Sequence, residues 1–265
     1  MNTRDRLSFK NIFIRFPWFK IVLVFVVCSI IIMDLAGNTI SRIGNETPHP
    51  HAPMLHHVRI RDLDGKKLVS LTFDDGPSAD TTPELLDILH QKSATVTFFM
   101  LGSRAANNPN IVERAEREGH VVASHTMYHQ NFAKISAAAT NDDIAESKAV
   151  FNDIIRHVPS LTRPPYGNIT NTVRDAVGTP IILWSVDTLD WKIKNPDSIS
   201  EITHEQVYDG AIILMHDIYE TSVEAAARLI DELRAEDYEF VTVPELAKYR
   251  GVDLKNGAVY YSFRP

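Results

Sequence analysis

The sequence predicts an α/β fold built on a mainly parallel sheet or barrel, preceded by one N-terminal membrane segment. Three observations lead there. Short runs rich in β-branched and aromatic residues recur between Leu68 and Thr242, amphipathic runs of helical period separate them, and an unbroken apolar run stands near the start of the chain. Strand followed by helix, repeated, places functional residues at the carboxyl ends of the strands.

Residues 1–36 carry Arg4, Arg6, Lys10, Arg15 and Lys20 against Asp5 and Asp34, net +3, which leaves net −10 on the rest of a chain of net −7. Ile21 to Met33 is apolar almost throughout, and Leu35 and Ala36 extend it. Basic residues ahead of such a run orient the N-terminus to the cytoplasm and the acidic remainder outside. Asp34 and Leu35 before Ala36 are a poor cleavage site, so the expectation is an uncleaved signal anchor in the cell membrane, with cleavage and secretion as the alternative. Residues 37–67 lose periodicity and gather Gly, Pro and His, which reads as a linker, with His49, His51, His56 and His57 as polar linker residues.

Beyond the linker the expected strands are Leu68–Phe73, Thr95–Leu101, His120–Ser124, Ile181–Val186, Ala211–Met215 and Glu239–Thr242. Pro83 opens a helix carrying Leu85, Leu86 and Leu89. A second helix carries Ile144, Phe151, Ile154, Ile155 and Val158, and a third Val223, Ala226, Ala227, Ile230 and Leu233. The domain organisation expected is a tail and anchor over 1–36, a linker over 37–67, a catalytic domain over 68–250 and an extension over 251–265.

A single cysteine, Cys28, excludes a disulfide framework and a cysteine-based zinc cluster, so any metal is held by histidine and carboxylate. The acidic balance argues against a nucleic-acid partner. Five segments carry candidate chemistry. Asp74 and Asp75 end the first strand side by side, which suits either a tight turn or a metal site with one carboxylate as ligand and one as base. His125 and His129 share one face if their backbone is helical, and with an aspartate would leave open positions on a shared ion, the arrangement of a catalytic site. Arg163-Pro164-Pro165-Tyr166-Gly167 is a stiff loop, able to present an arginine and a main-chain N–H or serve only as structure. Asp187 to Trp191 and Leu214 to Asp217 each follow a strand, and His216 reads as a satisfied core histidine or as a general acid beside a carboxylate.

In this order the five segments resemble the polysaccharide deacetylase family, carbohydrate esterase family 4: T-F-D-D-G-P at Thr72–Pro77, H-[ST]-x-x-H at His125–His129, R-P-P-Y-G at Arg163–Gly167, D-x-x-D-W at Asp187–Trp191 and L-M-H-D at Leu214–Asp217. The resemblance covers about Leu68 to Tyr249 and is greatest to membrane-anchored peptidoglycan N-acetylglucosamine deacetylases of Gram-positive cocci. It implies a distorted (β/α) barrel with fewer than eight regular strands. It also implies Asp75, His125 and His129 as ligands of a divalent metal, zinc or else cobalt or another divalent ion. Asp74 is then the general base, Arg163 its holder, His216 the general acid and Asp190 the partner of that acid. Tyr166 would stabilise the oxyanion through its main-chain N–H, and Trp191 and Leu214 would line the acetyl pocket. Thr126 replaces the commoner serine and Gln130 a common proline, and neither removes a ligand. The implied activity is metal-dependent removal of acetate from N-acetylglucosamine of peptidoglycan, a cell-wall polysaccharide, with no protein partner. Deacetylation of chitooligosaccharide, exopolysaccharide or acetylxylan, and a non-catalytic carbohydrate-binding wall protein, are the alternatives.

Overall fold

The computed structural model describes Leu63 and residues 65–265. The expected tail and membrane helix over 1–36, Cys28, the linker histidines and nearly all of the linker lie outside the described residues. Among the described residues no helix is long and apolar enough to cross a membrane.

In chain order the elements are β1 (Lys67–Asp74), α1 (Thr82–Gln91), β2 (Thr97–Met100), α2 (Gly102–Asn107), α3 (Pro109–Arg117), β3 (Val121–Ser124), α4 (Ala137–Ile155), α5 (Asn171–Val177), β4 (Ile181–Ile182), β5 (Val186–Asp187), α6 (Asp190–Ile193), α7 (Pro196–Gln206), β6 (Ile212–His216), α8 (Glu220–Ala235), β7 (Tyr238–Phe240), α9 (Val243–Tyr249) and β8 (Val259–Tyr260). The chain is thus an α/β protein. Its main sheet runs β3-β2-β1-β6-β5 with β7 paired to the start of β1, every pairing parallel. Single bridges from Ser124 to Thr162 and from Thr162 to Ile181 carry the pairing past β3 to β4, which also pairs with β8.

Both faces of the strands are covered, which is why they read as near-continuous apolar runs rather than alternating ones. Period two still decides direction. Leu71 and Phe73 pack with Ile213 of β6 and with Leu85, Leu89 and Leu229 of the helix layer. Thr72 and Asp74 point to the other side, where both meet Arg163. Phe99 and Ile212 join a second cluster with Leu246 and Phe263, so residues after 250 contribute both β8 and core.

Two expected elements differ. The run Ile181–Val186 is split between β4 and β5, because the carbonyls of Ile182 and Leu183 accept from the Arg163 guanidinium, both at 3.0 Å. The helix expected to reach Val158 ends at Ile155, where Arg156 takes a left-handed conformation with φ 64°.

Candidate active site

At the end of β1 the chain turns sharply at Asp75, φ 73°, a conformation aspartate tolerates better than most residues. Its Oδ1 lies 3.5 Å from His125 Nε2 and 3.3 Å from His129 Nε2. His125 follows β3 and donates its main-chain N–H to Met100 O at 2.8 Å. Its Nδ1 is 2.7 Å from Arg163 O, and since a carbonyl only accepts, Nδ1 carries the proton and Nε2 is left with its lone pair. Burial is the largest influence on this imidazole and pushes its pKa down to about 3, so it is neutral, as a ligand must be.

The residues fit a divalent cation. One donor atom from each of Asp75, His125 and His129 lies within 4.8 Å of the others. Asp75 Oδ1 is buried and makes no hydrogen bond among the described residues although two imidazoles stand close, an arrangement suited to a shared ion. His125 also has the outer-shell carbonyl partner that ligating histidines almost always have.

The pairing of the two histidines is not helical. Residues 125–130 contain no helix, and Thr126 and His129 have φ of 75° and 57°. The loop is shaped instead by the Asp143 carboxylate of α4, which accepts from the N–H groups of Met127 at 2.8 Å and Tyr128 at 3.3 Å. Tyr166 packs edge-on to His129, ring centroids 4.7 Å apart, from a left-handed position with φ 60° and ψ 10°.

Asp74 and Arg163 form a pair buried almost completely, Nη1 to Oδ1 2.6 Å. The guanidinium also donates to Thr72 Oγ1 and to the carbonyls of Ile182 and Leu183, and its Cζ lies 4.0 Å from the centroid of the Phe99 ring. Burial raises the Asp74 carboxyl above the ordinary aspartate range, and the nearby Arg163 and His216 charges pull the other way. The salt bridge is present, but desolvation of a group this deep outweighs it and increases its affinity for a proton.

His216 ends β6 in register with Asp74 of β1, so the two face each other across adjacent strands. Its Nδ1 is 2.8 Å from Asp190 Oδ1, while its main-chain N–H and the Ser222 hydroxyl both donate to Asp190 Oδ2 at 2.7 Å. Burial opposes the imidazolium, yet the Asp190 hydrogen bond and the charges of Asp190, Asp74 and Asp75 prevail and push its pKa up to about 9. Charged His216 therefore stabilises the fold fully below the ordinary pH of about 6.5 and stops doing so as pH rises through about 9. Replacing Asp190 with asparagine removes the strongest of these supports. In the metal-free protein the imidazole resonances of His216 should then titrate at or below about 6.5; a midpoint still near 9 would contradict this account.

Contacts and strand register link Asp74, Asp75, His125, His129, Arg163, Tyr166, Asp190 and His216, while Trp191 and Leu214 are connected to them through the main chain. Trp191 is tied in through its N–H on Asp190 Oδ1, and its ring is about half exposed. Leu214 is buried in β6, paired with Thr72 and Asp187, and its carbonyl accepts from Thr188. Sequence reasoning missed Thr72, Asp143 and Ser222, which orient the guanidinium, the histidine loop and the Asp190 carboxylate. The period-two step from Asp74 back to Thr72 was the one available signal.

Residues 62–179 match the family described as polysaccharide deacetylase. A peptidoglycan-N-acetylglucosamine deacetylase of Listeria monocytogenes is 40% identical over 195 residues, covering 74% of this chain but only 41% of the relative, so the chain spans about two fifths of that protein's length. Another protein of the same description, from Bacillus cereus, is 36% identical over 193 residues, 70% of this chain and 90% of the relative. Among solved structures, a family 4 acetyl xylan esterase from Clostridium thermocellum in complex with a cobalt ion aligns with TM-score 0.70 and 30% identity, covering 74% of this chain and 98% of the esterase.

Proposed function

The chain belongs to the polysaccharide deacetylase family, and we propose on that premise that it hydrolyses the N-acetyl group of N-acetylglucosamine in peptidoglycan, giving acetate and a free amine. One observation carries the reading. A buried carboxylate held by an arginine and a histidine charged to about pH 9 face each other across β1 and β6, beside the Asp75, His125 and His129 donors.

Amide hydrolysis needs an activated water, stabilised negative charge on the tetrahedral oxygen and a proton for the departing nitrogen. Asp75, His125 and His129 would hold a divalent ion, which we take to be zinc. When bound, it supplies Lewis acidity, lowering the pKa of water toward about 7 and polarising a carbonyl. Asp74 takes the proton of the attacking water at Oδ2, since Oδ1 is engaged by Arg163; burial suits it to this role by raising its proton affinity. The Tyr166 N–H donates to the oxyanion, a contribution on the order of 3 kcal/mol for a preorganised donor. His216 gives its Nε2 proton to the leaving nitrogen while Asp190 holds Nδ1 and fixes the ring. The reading requires the two groups to hold opposite protonation states at one pH. Leu214 and the Trp191 side chain are assigned to the methyl side of the acetyl group.

The peptidoglycan substrate is supported by the descriptions of the Listeria and Bacillus relatives, and acetylxylan stands as the rival because of the Clostridium esterase. We assign the chain to the cell membrane through residues 21–36, with the domain extracellular. The basic flank and apolar run support this, and a linker of 37–67 behaving as coil would reach roughly 30 Å, enough for wall polymer close to the bilayer. The test is acetate release by the full chain, stripped of metal and resupplied with zinc, on peptidoglycan, chitin oligomers and acetylxylan. Release is expected to vanish on stripping, return with zinc and be greatest on peptidoglycan. Zinc uptake without release from any polymer would refute the enzyme, and release greatest on acetylxylan would move the substrate.

A further inference from the structure

Asp217, the last residue of the segment that supplies His216, has no part in the steps above, yet it is completely buried. Its Oδ2 accepts from Thr82 Oγ1 at 2.6 Å, and the same Thr82 oxygen accepts from the Ser78 N–H at 2.8 Å. Its main-chain carbonyl accepts from Thr81 Oγ1 at 2.5 Å. Its carboxylate also lies flat against Gly76, where a Cβ would stand 2.2 Å from Oδ2 and 2.3 Å from Oδ1. Gly76 in turn accepts from the Leu101 N–H at 2.9 Å. The stretch that follows Asp75 is therefore clamped on one side chain from the end of β6. Asp75 itself has the left-handed backbone that persists only where its surroundings over-determine it.

We propose that Asp217 is a positioning residue for the metal triad: by seating Gly76 and holding Thr81 and Thr82, it fixes the Asp75 turn so that Oδ1 meets His125 and His129. The same contact joins the ligand turn of β1 to the His216 end of β6, so the metal donors and the acid keep a fixed separation. The inference rests on the metal reading above but not on the reaction.

The requirement at Gly76 is one of space, since its φ lies outside the left-handed region, and this provides the test. Zinc affinity of the full chain would be measured by chelator competition, with His125→Ala as the baseline for zinc held elsewhere and thermal midpoints as the check on folding. Asp217→Ala and Gly76→Ala should each weaken zinc binding about 10–100-fold, the range for loss of an outer-shell partner. Asp217→Asn, which keeps shape and an acceptor for Thr82, should escape that loss and bind zinc far more tightly than Asp217→Ala. In Gly76→Ala/Asp217→Ala the added methyl occupies the space the carboxylate vacates, so the double variant should bind no worse than Asp217→Ala alone. Wild-type affinity in Asp217→Ala, Asp217→Asn as weak as Asp217→Ala, or fold-losses that multiply in the double variant would each overturn the clamp. These affinity differences without acetate release from any glycan would support the clamp while refuting the deacetylase reading.

Discussion

Asp74→Asn is expected to lower kcat for acetate release about 10²- to 10⁴-fold, the range for removal of a positioned general base, with a much smaller change in KM. The amide keeps an oxygen for the Arg163 Nη1 contact of 2.6 Å, so the guanidinium retains a partner while the proton acceptor is lost. Zinc affinity should change little, since the donors are Asp75, His125 and His129 and the Asp74 carboxylate stands outside that set, its Oδ2 3.8 Å from His125 Nε2. The assay is steady-state acetate release on purified peptidoglycan beside zinc titration. Near-normal turnover would remove Asp74 from the mechanism, and a carbohydrate-binding protein without turnover would show no difference between wild type and variant.

Arg163→Met should be the most destabilising single change at the site, by about 3–5 kcal/mol, because it strands a buried carboxylate. Arg163 is fully buried, and it satisfies Thr72 Oγ1, Asp74 Oδ1 and the carbonyls of Ile182 and Leu183 at once. Methionine fills much of the space but donates nothing. At roughly 2–4 °C per kcal/mol the thermal midpoint should fall by roughly 6–20 °C. Arg163→Met/Asp74→Leu, which removes both charges, should regain a large part of that loss and remain inactive. If the single variant melts with the wild type, the buried pair is not what holds β1 to β4.

These two residues also show what the chain makes legible. Asp74 could be found because β1 is a run of β-branched and aromatic residues broken by two carboxylates, and strand ends are where parallel α/β folds place their sites. The alternation of side chains then puts Thr72 on the same face, the one second-layer residue within reach of pattern reading. The rest depends on tertiary geometry. His125 and His129 sit four apart, as on a helix, but reach one point through two left-handed residues fixed by Asp143, which arrives from another element. The gap between β4 and β5 is not marked in Ile181–Val186, a run apolar but for Ser185, because its cause is the guanidinium of a residue nearly twenty positions earlier. The short helices α2 and α6 have too few turns to display a period. Ser222 and Asp217 serve the site as hydrogen-bond partners of groups distant in the chain, a role that composition does not mark.

The split between β4 and β5 has a bearing on the order in which competence is acquired during folding. The carbonyls that hold Arg163 belong to the segment bridged through Thr162 toward β3 on one side and joined through β5 to β6 on the other. Until that long-range segment docks, Arg163 lacks two of its acceptors, so the buried pair that holds Asp74 is complete only in the assembled chain. On the proposed mechanism, acetate release would then report completed topology, and a chain arrested before that step would release none.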